Sequence, residues 1–111
     1  MASRSVNKVT LLGNLTRDAE TAYTTSQTSV TKFSVATSRR WKDQAGEWKE
    51  DTEFTNVVLW RNENLAQFLT KGKQVYVEGR LQTRSYEKNG EKKYSTEVVA
   101  DDVILLGGGR E

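Results

Sequence analysis

The Asn89-Gly90 pair constrains this chain more than any other feature. It separates two long runs, Lys73 to Lys88 and Glu91 to Leu106, in which apolar and polar residues largely alternate. Asn-Gly readily takes positive φ at both centres of a two-residue turn, and the twist of that turn matches two paired strands. One long antiparallel hairpin is therefore predicted. Residue 84 then opposes 95, 86 opposes 93 and 88 opposes 91. Val75, Val77 and Leu81 point one way, toward a core. Tyr76, Arg80, Arg84, Tyr86 and Lys88 point the other way, and the register gathers Arg84, Tyr86, Lys88 and Lys93 near the tip.

The rest of the chain reads as three further strands and a short helix. Val6 to Leu15 is a strand with Gly13 near its end, where a glycine marks a bulge or bend. Residues 16–29, TRDAETAYTTSQTS, suit a loop or an irregular edge. Val30 to Trp41 is a strand, residues 42–51 a charged loop around Gly46, and Thr52 to Arg61 a strand. Leu65, Phe68 and Leu69 then follow helical spacing. A helix over 63–71 is predicted, with Asn62 as N-cap and Gly72 as C′ residue. Phe33 and Phe68 are assigned to the core. Three strands, a helix and two strands form the order of an all-β, five-stranded OB-fold Greek-key barrel. The binding domain is expected over 1–106, with 107–111 opening a Gly-rich linker.

The stretch EDTEFTNVVLWRNE, residues 50–63, poses a question for such a barrel. Thr55, Val57 and Leu59 share one strand face and can fill the interior. Phe54, Asn56, Val58 and Trp60 share the other, so two large rings face away from it. A barrel leaves that outer side free for a ligand or partner.

Composition narrows the chemistry. The 111 residues suffice for one domain with a modest core. There is no cysteine and no histidine. Zinc sites, Ser-His triads and Cys-His dyads are thereby excluded, no cofactor or metal is expected, and the case for an enzyme weakens. Asp101-Asp102 is a poor metal pair, since adjacent strand residues face opposite ways. No apolar run reaches the ~18 residues of a membrane span, and the N-terminus lacks a signal-peptide core. The net charge of +2 says little, but its distribution says more. Residues 1–49 hold eight Lys/Arg against four Asp/Glu, and residues 71–94 hold seven against three, flanking the acidic stretch 50–63. Such a pattern suits a polyanion laid along chosen tracks, and also suits ordinary surface charge.

Aromatic residues interleave with those cations. Trp41 lies beside Arg39, Arg40 and Lys42; Trp48 sits in the charged loop; Tyr86 sits among Arg84, Lys88 and Lys93. A ring beside a cation suits a nucleobase beside its phosphate. Stacking contributes about 1–3 kcal/mol per base and tolerates any sequence. Duplex DNA hides its base faces, so such a surface selects single strands. For Phe54 and Trp60, burial in a subunit interface or second core competes with this reading.

The stretches VNKVTLLGNLTRDAE (6–20), FSVATSRRW (33–41), DTEFTNVVLW (51–60), KGKQVYVEGRLQTRSY (71–86) and YSTEVVADDVILLGG (94–108) resemble the bacterial single-stranded DNA-binding proteins, the homotetrameric OB-fold class. The resemblance implies base stacking at Trp41, Phe54, Trp60 and Tyr86. It implies backbone contacts at Lys8, Lys49, Lys73 and Arg84, and tetramer contacts around Tyr76 to Glu78. Two departures stand out. The family's Asp-Pro-Glu is here Asp18-Ala19-Glu20, which leaves that loop less rigid, and Trp48 falls where the family has no fixed aromatic.

The expectation is a cytoplasmic, homotetrameric, non-catalytic binder of single-stranded DNA that reads no sequence and guards exposed strands during replication, recombination and repair. Partner replication and repair enzymes are expected only of a chain carrying the family's acidic tail. Three alternatives remain: a related primosomal or RNA-binding OB-fold module, an oligomeric scaffold with buried aromatics, and a carboxylate nuclease using Asp51, Glu53 or Asp101.

Overall fold

The computed structural model describes residues 4–107, so residues 108–111 of the expected linker lie outside the described residues. The elements are β1 (Val9–Leu15), β2 (Glu20–Tyr23), β3 (Ser29–Lys42), β4 (Trp48–Trp60), α1 (Glu63–Ala66), β5 (Gln74–Lys88) and β6 (Glu91–Leu105). They form one sheet in the order β1-β5-β6-β4-β3-β2, and a further β1–β3 pairing closes five of the strands into an OB-fold barrel. β2 stays outside the closure as an edge on β3. The polar stretch 16–29 thus contains an edge strand and two connections.

The Asn-Gly hairpin forms as its turn chemistry dictates. Asn89 and Gly90 take φ of 53° and 79°. The register pairs Arg84 with Ser95, Tyr86 with Lys93 and Lys88 with Glu91. Farther down, Glu78 pairs with Asp102 but Gly79 with Ala100, so Asp101 is the extra residue of a bulge. Strict alternation therefore fails at Asp101, and the argument that Asp101 and Asp102 face opposite ways does not hold there. Asp101 instead approaches Arg80, with Oδ1 3.8 Å from a guanidinium nitrogen.

A second long hairpin was not legible as one. β3 and β4 pair from Val30↔Trp60 to Lys42↔Trp48. The loop between them is only Asp43–Glu47. The Asp43 amide donates to the Glu47 carbonyl and the Gly46 amide to the Asp43 carbonyl. The Asp43 carboxylate accepts from the Glu47 amide at 2.8 Å. Gly46 adopts the φ of +84° that the turn needs. Trp48, expected in a loop, is the first residue of β4. Charged side chains disguised residues 48–51 as loop, although an exposed two-stranded arm needs no apolar face.

The core gathers Leu15, Phe33, Val35, Val57, Leu59, Leu69, Val75, Val77 and Val98. At Gly13, β1 passes from β5 to β3. A Cβ there would run into the Ala36 carbonyl, and one at Gly79 would run into the Val99 carbonyl. Both glycines permit backbone to cross backbone as the barrel curls. Asn7 continues β1 by side chain: its amide donates to the Leu81 carbonyl and accepts from the Leu81 amide, both at 2.9 Å.

Two core assignments change, Phe68 and Leu81, and so do the helix and its expected C′ glycine. The helix is a single turn, capped by Asn62, whose side chain accepts from the Leu65 amide. Phe68 lies beyond its end and is 54% exposed, while Leu69 is buried. Gly72 takes φ +87° six residues past Ala66, so it turns the chain into β5 and caps no helix. Leu81 keeps its inward phase opposite Val98, yet it lies beyond β1 and is 49% exposed.

Candidate nucleic-acid interface

Register decides which side chains share the outer face. Across β3 and β4 the pairs are Val30/Trp60, Lys32/Val58, Ser34/Asn56 and Ala36/Phe54. β4 meets β6 in parallel, Val58 beside Val99. β6 meets β5 with Val99/Arg80, Glu97/Gln82, Ser95/Arg84 and Lys93/Tyr86. Phe54 and Trp60 therefore face the same way as Arg84, Tyr86 and Lys88 of the Asn-Gly hairpin. They are 64% and 45% exposed, so neither ring belongs to a second core within the chain.

A groove of about 270 Å³ runs across these strands. Val30, Val58 and Val99 form its buried floor, and Trp60, Lys32 and Arg84 stand along its sides. Arg84 Nε donates to Glu97 Oε2 at 3.2 Å. Glu97 is buried and so holds the guanidinium from below. Arg84 also lies 5.7 Å from the Tyr86 ring centroid. A smaller recess of about 180 Å³ continues past Asn56 and Ser95, with Arg17 on its wall. An apolar floor, an upright ring and cations at the rim can accept a flat heterocycle carrying a phosphate.

The β3–β4 arm carries two more ring–cation units, one on each face. Trp48 lies under Arg40 and Lys42, at 5.0 and 5.6 Å. It shares the outer face with Phe54 and Trp60. Trp41 lies 4.3 Å from the Arg39 guanidinium and faces the opposite side of the arm. Lys49, paired with Trp41, shares that side and reaches Asp43 at 3.8 Å.

The structure thus brings Trp48, Phe54, Trp60, Arg84, Tyr86 and Lys88 to one face, and Arg39, Trp41 and Lys49 to the other. Lys8 is exposed just before β1, and Lys73 is half-buried just before β5. Neither lines the groove. The expected acidic patch is not a separate zone: Glu50 opposes Arg40 and Asp51 opposes Arg39.

Sequence reasoning missed Lys32, Arg17, Gln82 and Glu97 as groove residues. One signal could have found Lys32. Had the Asp43–Glu47 turn been recognised, counting back from it would have set Val30 opposite Trp60 and Lys32 opposite Val58. Glu97 carried no such signal, because its value lies in Arg84, which meets it only across the folded hairpin.

The comparisons with known proteins point the same way. A model described as "Single-strand binding protein family" matches residues 6–106. The chain is 47% identical over 109 residues to single-stranded DNA-binding protein 1 of Chlorobaculum tepidum, covering 95% of this chain and 67% of that one. It superposes with a TM-score of 0.87 and 32% identity on the Plasmodium falciparum SSB in complex with ssDNA, over 96% of this chain and 100% of that one. It superposes with 0.83 and 32% on a deletion mutant of the single-stranded DNA-binding protein from Thermus aquaticus, covering 93% of this chain but 51% of that chain. A closed barrel with an aromatic, cation-rimmed outer groove and a family match across 6–106 lead to one conclusion: the chain belongs to the single-strand binding protein family.

Proposed function

We propose that this chain binds single-stranded DNA without sequence preference and performs no catalysis. Its role is then to keep exposed strands unpaired during replication, recombination and repair, in the bacterial cytoplasm or nucleoid. The observation that carries this reading is the groove beside Trp60, where an exposed ring, a valine floor and two cations meet. Bases stack on Trp60, Phe54, Trp48, Trp41 and Tyr86. Phosphates run along Lys32, Arg84, Lys88, Arg39 and Lys49, with Lys8 and Lys73 at the margins. Stacking needs only a π-face, which every base has.

The scaffold reading, in which the rings are buried between subunits, is disfavoured by a separate apolar patch. Leu12, Tyr76 and Ile104 are cross-strand neighbours on the outer face of β1, β5 and β6. Leu12 and Ile104 are exposed there. This patch is our candidate for the homotetramer contact, which leaves the groove free. Residues 1–106 serve as the binding domain, with a linker opening at 107–111. Recruitment of replication or repair enzymes is assigned only to chains that carry an acidic tail.

Tryptophan fluorescence during titration with oligo-dT, at low and high salt, tests the function. Strong quenching by the single strand, with little by duplex, is expected. Fluorescence unchanged by either ligand would transfer the rings to an interface role.

A further inference from the structure

Trp60 has a second side. Beyond its ring lies another cleft, of about 570 Å³, lined by Thr24, Ser26, Thr28, Arg61 and Arg80. Its chemistry differs from that of the groove. It shares Trp60 and Val99 with the groove, but three hydroxyls, two guanidiniums and the Asp101 carboxylate make up most of its remaining wall.

Each part is held in place by the local fold. The chain turns between Thr24 and Thr28: the Thr24 amide donates to the Thr28 carbonyl, and the Gln27 amide donates to the Thr24 carbonyl. The hydroxyls of Thr24, Ser26 and Thr28 form a chain, with gaps of 3.0 and 3.3 Å. Arg61 takes φ +61°, so the backbone leaves β4 abruptly after Trp60, and its amide donates to the Ser29 carbonyl at 3.0 Å. Arg80 stands beside Val99 on the outer face. Its one ion-pair partner among the described residues is Asp101 at 3.8 Å, which also lines the cleft, with both side chains at least half exposed. An exposed pair of that kind holds its partners weakly and yields to a better anion.

Guanidinium forks with hydroxyl donors are the chemistry of a phosphate oxygen. A base lying on one side of Trp60 leaves its own backbone to pass the ring's edge. We infer that the cleft formed by Arg61, Arg80 and the Thr24–Thr28 turn binds a backbone phosphate of single-stranded DNA, carrying the bound strand past Trp60 toward β2. The inference rests on the single-stranded DNA reading above and adds a direction and an end to the track.

The R61A/R80A double variant tests it, with R61K/R80K as the charge-preserving control. Binding of oligo-dT is followed by tryptophan fluorescence over a series of salt concentrations. For single strands, log K falls against log salt by about 0.7 for each phosphate contact. R61A/R80A should bind more weakly and show a slope shallower by about 0.7 or more. R61K/R80K should keep the wild-type slope. D101N, which frees Arg80, should bind more tightly. Wild-type binding with an unchanged slope in R61A/R80A would remove the cleft from the track and leave the function standing. Failure of the wild type to bind oligo-dT would remove both.

Discussion

Trp60 is the residue on which the site turns, because it walls both the valine-floored groove and the hydroxyl-lined cleft. Trp60→Ala should weaken binding to any single-stranded sequence by about 1–3 kcal/mol, read by titration with several homopolymers. A loss confined to one sequence would contradict stacking. Val58 and Val99 belong to the same surface without touching solvent freely, so substitutions there act through the shape of the floor. Stability hangs on different residues. Gly79→Ala sets a methyl against the Val99 carbonyl, and a backbone atom cannot rotate away. It should destabilise by about 1–3 kcal/mol in urea denaturation, as overpacking does. The alternation of residues 54–60 made the rings legible in the sequence. Glu97 was not legible, because a buried carboxylate under an arginine has no local pattern.

At the scale of elements, the two hairpins differ in how openly they announce themselves. Asn89-Gly90 declares its turn type and hence its register. Asp43–Glu47 hides its turn inside a charged run, so the outer end of the β3–β4 arm, residues 42–51, was read as a loop and the pairing was lost. The helix was overestimated because Phe68 and Leu69 fit a helical period that one turn already exhausts; tertiary contact to Leu69 supplied the apolar signal. Gly90→Val should strain a residue at φ +79° and fray the tip. Because residues 80–96 lie beyond the core, global stability should change by under ~1 kcal/mol while Tyr86 loses its position. Amide exchange should quicken near 84–95 and spare β1. Tyr23 ties β2 to α1 by donating to Glu63 Oε2 at 3.0 Å. That carboxylate raises the phenol above its usual value of 10.0. A proton held more tightly in the folded chain stabilises below pH ~10 and ceases to as pH rises through the folded value. Tyr23→Phe should therefore flatten the alkaline end of the stability curve, measured by thermal melts between pH 8 and 11. A second contribution should persist, since Tyr76 donates to Glu78 and is raised likewise.

Taken as a whole, the molecule is a small barrel with two long ribbons. Its radius of gyration is 16.6 Å, against about 13 Å for a compact chain of ~100 residues. The excess reflects arms that carry Trp41, Trp48 and Tyr86 away from the core, where they can follow a strand longer than one groove. Charge is mixed along those arms, so the net +2 understates the local cation density near Lys32 and Arg84. Lys32→Ala should flatten the salt slope by about 0.7, and Lys73→Ala should do so less, because Lys73 lies outside the groove. Equal slopes for the two variants would mean that the strand also passes the start of β5. Fold class and strand order were legible because hydrophobic phase and one turn motif specify them. The position of the groove was not, since it depends on how β4 meets β6.

That meeting is brief: Val57 with Val98 and Val58 with Val99. Each hairpin can zip from its own turn, but this seam joins residues about forty positions apart and must wait for a large loop to close. Val58 and Val99 are also two of the three valines beneath the groove. The floor of the proposed binding groove is therefore completed only when the chain closes. A strand lying there clasps the seam from outside, and the unfolding rate of the protein should fall as its ligand is added.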